Sequence, residues 1–259
     1  MNRGSLLWIL AMLPAPPLFA ETLSIRADDW FPVNGKPGSR QEGVYIDLVR
    51  DIVGQAGHTL DYRLMSWDAA IDAVKAGDYD CVVGASPSDA PGFVYTAQPW
   101  MRFDNAFYAL ADRQLAVASV DALGPHVVGV IEGYSYGDAL DAYVAAHKAD
   151  PARVQLTTIG RNPLETLVNR LVTGKVDVVV ESEVVMQSHL SKTRLGGRIV
   201  QVGSMQDRQP IYIACSPAKP SSRTWVTLLD AGFQRHLRDG TLDAFYSKYG
   251  LSSAPLLAP

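Results

Sequence analysis

One rhythm, occurring twice, constrains the fold of this chain more than any other feature. Short apolar runs alternate with segments whose apolar residues recur at helical spacing. From Leu23 to Ala27 the chain reads as a strand, and Ile46, Val49, Ile52 and Val53 then fall on one helical face. A strand from His58 to Leu64, a helix from Asp68 to Ala76 with Gly77 just past its end, and an apolar strand from Tyr79 to Gly84 follow. The same order returns: strand Val127 to Ile131, helix Tyr136 to His147, strand Val154 to Thr158, helix Pro163 to Val172, strand Val176 to Glu181. Strand–helix–strand–helix–strand is a doubly wound α/β unit. Two such units imply two lobes, joined by the extended run Phe103 to Ala111.

The ends refine this division. Arg3, the short apolar run Leu6 to Leu13, a Pro-rich break and Ala20 have the form of a cleaved secretory signal over residues 1–20. The run is too short to span a bilayer, and no later segment is apolar enough to do so. The expected division is lobe 1 over 21–111, lobe 2 over 112–210 and a return to lobe 1 over 211–250. That return comprises a strand from Ile211 to Cys215 and helices from Thr224 to Leu237 and from Leu242 to Tyr249. The Pro-rich residues 251–259 read as a disordered tail.

The chain of 259 residues carries 23 basic and 27 acidic side chains. That mildly acidic balance argues against a nucleic-acid partner, which requires a clustered basic face. The five histidines show no metal-ligand spacing, and no nucleophile elbow, phosphate loop or dinucleotide fingerprint is present. No cofactor is expected. Cys81 and Cys215 lie in apolar runs of an exported chain, and their spacing allows two buried thiols or one disulfide. In open α/β sheets ligands lie beyond the carboxyl ends of the strands. Attention therefore falls on residues 28–32, 66–67, 84–88, 133–136 and 181–183.

A set of ordered motifs carries a resemblance. They are Trp30-Phe31-Pro32, Glu42 to Leu48, Trp67-Asp68-Ala69-Ala70-Ile71 running to Gly77-Asp78-Tyr79-Asp80, Val128 to Gly133, Gly174-Lys175-Val176-Asp177, and Leu237 to Leu242 with Lys248-Tyr249-Gly250. In that order and spacing they resemble the periplasmic solute-binding proteins of polar amino-acid ABC importers, the extracellular solute-binding family 3. The resemblance implies an α/β, two-lobed Venus-flytrap of type II. Its hinge strands would cross near Ala109 to Leu115 and near Gln209 to Ile213. It implies a monomer in the periplasm that hands a small polar solute to an ABC permease and ATPase. The return strand would lie antiparallel beside the Tyr79 to Gly84 strand, bringing Cys215 near Cys81 as a possible disulfide.

The resemblance also implies a site built from Asp29, Trp30, Tyr45, Trp67, Ala85, Ser86, Ser88, Tyr134, Ser135 and Glu181. Trp30 offers an aromatic face to a planar or cationic solute, against packing beneath the Pro37-Gly38 loop. Trp67 opens a helix and serves equally as a core plug. Ser135, after Gly133 at a helix start, combines a hydroxyl with backbone N–H groups suited to a carboxylate, or simply caps the helix. Glu181 and Glu183 are placed at the end of a strand, and at most one of them is expected to reach the cleft. Two departures stand out. The family's amino-acid binders place an Arg after the third strand, but residues 84–93 contain none. They also place an Asp where this chain has Ser182. Ser86, Ser88 and Asp89 occupy the arginine loop, offering hydroxyls and a carboxylate to a cationic or hydroxylated ligand or simply forming a turn, and Asp28 and Asp29 carry the same two readings. The expected function is capture of a solute that is not a standard α-amino acid, without catalysis. The rival readings are a periplasmic cyclohexadienyl-dehydratase-like enzyme using Glu181 or Glu183 as acid, and a ligand-binding partner of a membrane sensor.

Overall fold

The computed structural model describes residues 20–158 and 162–258, so the expected signal segment lies almost wholly outside the described residues. Chain order is β1 (Thr22–Ala27), α1 (Val44–Gln55), β2 (Thr59–Leu64), α2 (Trp67–Ala76), β3 (Cys81–Ala85), β4 (Val94–Tyr95), β5 (Met101–Phe103) and β6 (Asn105–Leu110). There follow β7 (Val128–Ile131), α3 (Asp138–His147), β8 (Val154–Thr157), α4 (Pro163–Val172), β9 (Val178–Ser182), α5 (Glu183–Lys192), β10 (Ile199–Ser204) and β11 (Gln209–Cys215). Helices α6 (Ser222–Arg238), α7 (Leu242–Ser247) and α8 (Ser253–Leu257) complete the chain.

Two sheets result. The first has the order β2-β1-β3-β11-β4, with β5 also paired to β11. The second has the order β10-β6-β9-β7-β8. In each sheet parallel strands form the middle of a wound unit, and one antiparallel strand arrives from the other end of its segment. The mixed α/β, two-lobed architecture follows from the doubled rhythm of the sequence.

The lobes bury their apolar residues differently. In lobe 1, Val44, Ile46, Val49 and Ile52 of α1 meet α6 and α7 in a single large core, where Trp100 stacks on Phe233 at 4.9 Å. Gly232 allows that approach, since a Cβ there would enter Ile52. In lobe 2 the sheet is covered on both faces. Tyr108 and Val179 pack against α4 on one side, while Phe107, Val178 and Val180 pack toward α3 on the other. The period-two alternation of β6 and β9 feeds both cores.

Cys81 and Cys215 are register partners across the antiparallel β3–β11 pair, and their sulfur atoms are bonded. The bond closes a loop of sequence separation 134, a constraint that stabilises small domains by about 2–5 kcal/mol.

Three expectations need correction. The first hinge crossing does not lie near Ala109 to Leu115. Pairing with β11 ends at Phe103 and pairing with β9 begins at Asn105, so the first crossing is at Asp104, before the expected boundary at 111/112. The second crossing lies between Ser204 and Gln209, where Gln206 and Arg208 adopt left-handed backbone conformations. The backbone N–H of Arg208 donates to Asp104 Oδ1 at 2.8 Å, joining the two crossings. Second, the tail expected to be disordered over 251–259 contains α8, whose Leu256 and Leu257 pack partly buried on the lobe 1 core. Apolar anchoring outweighs its Pro-rich composition. Third, Glu183 begins α5 rather than ending a strand; Ser182 Oγ caps that helix by accepting from Val185 N at 3.2 Å.

Candidate functional site

The cleft between the lobes holds a cavity of about 40 Å³, room for a few waters, so a larger solute requires the lobes to part. Lobe 1 contributes Asp28 and Trp30 from the end of β1, Trp67 from the start of α2, and Ser86 with Asp89 from the turn after β3. Lobe 2 contributes Tyr134, Ser135 and Tyr136 from the turn after β7, and Glu181 from the end of β9. Phe103, Asn105, Gln209 and Ile211 line it from the strands flanking the crossings. Strand ends thus supply most of the wall, as wound sheets dictate.

Of the expected residues, Trp30, Trp67, Ser86, Tyr134, Ser135 and Glu181 come together here. The other four do not line this cavity. Tyr45 is fully buried in the lobe 1 core and donates its hydroxyl to Ile211 O at 2.9 Å, so it supports the floor from behind. Ala85 is fully buried against Trp67 and Phe93. Asp29 turns outward to a separate space beside Phe31, Lys36 and Lys192, because Asp28 takes the inward position. Ser88 is exposed at the rim, its Oγ 3.1 Å from Ser135 Oγ. Ser135 itself stands three residues before α3, in a turn, and does not cap that helix.

The lobes meet through polar contacts. Trp30 Nε1 donates to Glu181 Oε1 at 3.1 Å, and the Tyr134 hydroxyl donates to Asp28. Gly133, with φ near +80°, lets this turn pass the opposing lobe, since a Cβ would collide with the Asp68 carboxylate. Trp30 also packs edge-on against Phe103 at 5.3 Å, giving the cavity an aromatic wall.

Glu181 is 1% exposed and Asp28 6% exposed. Burial pushes the Glu181 carboxyl up to about 7, opposed by the Ser182 N–H and Trp30 donors and assisted by the negative Asp28. Burial likewise pushes Asp28 up to about 6, against the donated Tyr134 hydroxyl. The same burial, with the charges of Asp28 and Glu181, raises the Tyr134 phenol well above its ordinary value, so it remains a donor. Glu181 Oε2 is buried without a hydrogen-bond partner among the described residues. None of the described residues lining the cavity is a lysine or arginine. As far as the described residues go, the arrangement is an aromatic cavity with carboxylates and no countercharge, suited to a cationic guest.

Missed by sequence reasoning were Phe103 and Asn105, which follow once the first crossing is fixed at Asp104; Tyr136 belongs to the 133–136 segment the sequence singled out but was not named as a site residue. Glu183 faces away and accepts from Gln201 Nε2 at 2.7 Å. Among the described residues no cluster of His, Cys, Asp and Glu is arranged to hold a metal ion, and no helix is long and apolar enough to cross a membrane.

No protein-family profile matches the chain, and no curated protein matches it in sequence. Solved structures do. A histidine kinase sensor domain with similarity to periplasmic binding proteins superposes with TM-score 0.73 at 20% identity, covering 92% of this chain and 98% of that one. An ancestral arginine-binding protein bound to arginine gives 0.71 at 20% identity, covering 88% and 98%. An ancestral amino-acid-binding protein described as a precursor of cyclohexadienyl dehydratase gives 0.68 at 21% identity, covering 88% and 95%. Strand order, crossings and these superpositions agree: this chain has the two-lobed fold of the type II periplasmic solute-binding proteins.

Proposed function

We propose that this protein is an exported receptor that captures a small cationic solute between its lobes and delivers it to an ABC importer. The observation that carries the reading is Glu181: a buried carboxylate with one oxygen unpartnered among the described residues, near buried Asp28, in a cavity whose described lining has no basic residue. An ionised carboxylate in such a place is costly by several kcal/mol, and a guest ammonium or guanidinium offsets that cost. Trp30, Trp67, Phe103 and Tyr134 supply faces on which such a cation rests. The reading as an exported monomer rests on residues 1–20 and on the fold shared with binding proteins, one of them an arginine-binding protein bound to arginine.

A thermal-shift panel of amines, guanidines, organic acids and sugars tests this, after unfolding and refolding the protein to strip carried-over solute. An amine at a hundred times its dissociation constant stabilises the closed form by about 2.7 kcal/mol. Response to organic acids alone defeats the proposal.

One observation favours a second reading. A buried Glu181 titrating at about 7, across from the Tyr134 donor, is suited to proton transfer, as a dehydratase requires. The described lining of the cavity offers no cation to hold a dicarboxylate, which weighs against it. Turnover of prephenate by the purified protein decides between the two. If neither binding nor turnover is found, the sensor role, to which the first superposition is relevant, takes precedence.

A further inference from the structure

The turn after β7 presents a cradle of the kind that holds anions, and the protein fills it with its own carboxylates. Two successive backbone N–H groups, of Ser135 and Tyr136, and the Ser135 hydroxyl are available there. Convergent backbone N–H groups are a general recognition device for carboxylate and phosphate. Ser135 N donates to Asp89 Oδ1 at 3.2 Å, reaching across the cleft to lobe 1. Tyr136 N donates to Asp141 Oδ1 at 2.8 Å, and Ser135 Oγ donates to Asp141 Oδ2 at 2.6 Å. Each donor in the cradle is thus taken by a carboxylate of the chain itself.

Asp89 is also fixed from its own side. Its Oδ2 accepts from Ser86 N at 2.7 Å and Ser86 Oγ at 2.5 Å, so the turn after β3 holds it in place. Asp89 lines the cavity, whereas Asp141 stands behind Ser135 on the first turn of α3.

We infer that Asp89 and Asp141 make the cleft select against carboxylated ligands, so that the solute is a decarboxylated amine or guanidine rather than an amino acid. This rests on the cationic-solute reading and narrows its ligand class. A guest carboxylate entering the cradle would have to displace Asp89 from Ser135 and lie beside its negative charge. Specificity then comes from an occupied donor set and a repulsive group together, not from attraction alone.

Two ligand pairs test it by titration calorimetry: agmatine against L-arginine, and cadaverine against L-lysine. Each pair shares its cationic tail and differs in the α-carboxylate. The expected result is that wild-type protein binds each amine at least about 100-fold more tightly than its amino acid. In Asp89→Ser, which frees the Ser135 N–H and removes the repulsion, L-arginine gains about tenfold or more relative to agmatine. Equal binding of agmatine and L-arginine by wild-type protein overturns this inference while leaving the cationic-solute reading intact. Failure of wild-type protein to bind any of the four overturns that reading and the inference with it. Should Asp89→Ser fold poorly, the wild-type ratios still decide, and Asp89→Asn, which keeps an acceptor for Ser135 N but removes the charge, separates occupancy from repulsion. A ratio unmoved in both variants overturns the assignment to Asp89.

Discussion

Two pairs of acidic residues stand in or beside the cleft, and they are supplied with hydrogen-bond donors very differently. Asp89 and Asp141 are fed by donors: Ser86 gives two hydrogen bonds, and Ser135 and Tyr136 give three more. Asp28 and Glu181 are starved. Asp28 accepts from Tyr134 with its side chain, and both donors to Glu181 share one oxygen while the other has none. Carboxylates matched to donors inside the protein do structural work. Carboxylates left short are stable only when protonated or when something from outside completes them. The contrast therefore points to where a guest is needed.

Replacing Glu181 by Gln breaks the starved pair and gives the largest effect on binding. Amine affinity falls by about 30-fold or more, since the guest cation loses its buried partner. Calorimetry at pH 8 measures this; affinity within threefold of wild type removes Glu181 from the site.

The largest effect on stability is the pH dependence of the ligand-free protein. Asp28 and Glu181 titrate in the folded state at about 6 and about 7, above their ordinary values of 3.8 and 4.5. Protons bound in the folded state are lost on unfolding, so stability is fullest below pH 4 as far as these groups are concerned. It declines as pH rises through the window from about 4 to 7, then levels off. Glu181 alone accounts for about 3 kcal/mol of that decline. Amine affinity runs the other way, rising over the same window as the acids ionise. Melts between pH 5 and 8 should show the slope in wild type and lose most of it in Glu181→Gln.

Asp141→Ala sharpens the comparison from the fed side. It strands Ser135 Oγ and Tyr136 N and lowers stability by about 1–2 kcal/mol at pH 8, whereas Glu181→Gln raises stability there. The smallest effect is that of Trp30→Phe, which removes one of the two donors to Glu181 Oε1 and costs about 0.5–1.5 kcal/mol. Equal and like-signed changes in Asp141→Ala and Glu181→Gln would erase the distinction between the pairs.

Much of this was legible in the chain. The runs around β3, β7 and β9 are continuous and apolar, and α1, α4 and α6 carry clear apolar faces, so both wound units could be placed. Helix α5 could not. Its buried residues, Val184, Val185 and Met186, are confined to its first turn, and the following Gln, Ser and His give no periodic face. The crossing at Asp104 was hidden because Phe103 to Leu110 is extended on both sides of it; only hydrogen-bond partners change there. In the site, the aromatic and acidic residues at strand ends were legible, since the end of a strand fixes where a side chain stands. Choosing Asp28 over Asp29 was not, because the choice depends on the turn after β1, where Asn34 Nδ2 donates to Asp28 O. The filling of the Ser135 cradle depends on Asp89 from the other lobe, a proximity of 46 positions that no local pattern encodes.

The short helix α8 has a practical consequence. Arg208, in the second crossing, donates Nη2 to Pro255 O at 2.6 Å and to Ala258 O at 3.0 Å, while its backbone is tied to Asp104 in the first crossing. The segment 255–258 is therefore clipped onto the very joint that must flex when the lobes part. An affinity handle or fluorescent fusion appended there would tug on the pivot rather than dangle from a remote corner. Binding constants taken from such fusions should be checked against protein released from its tag.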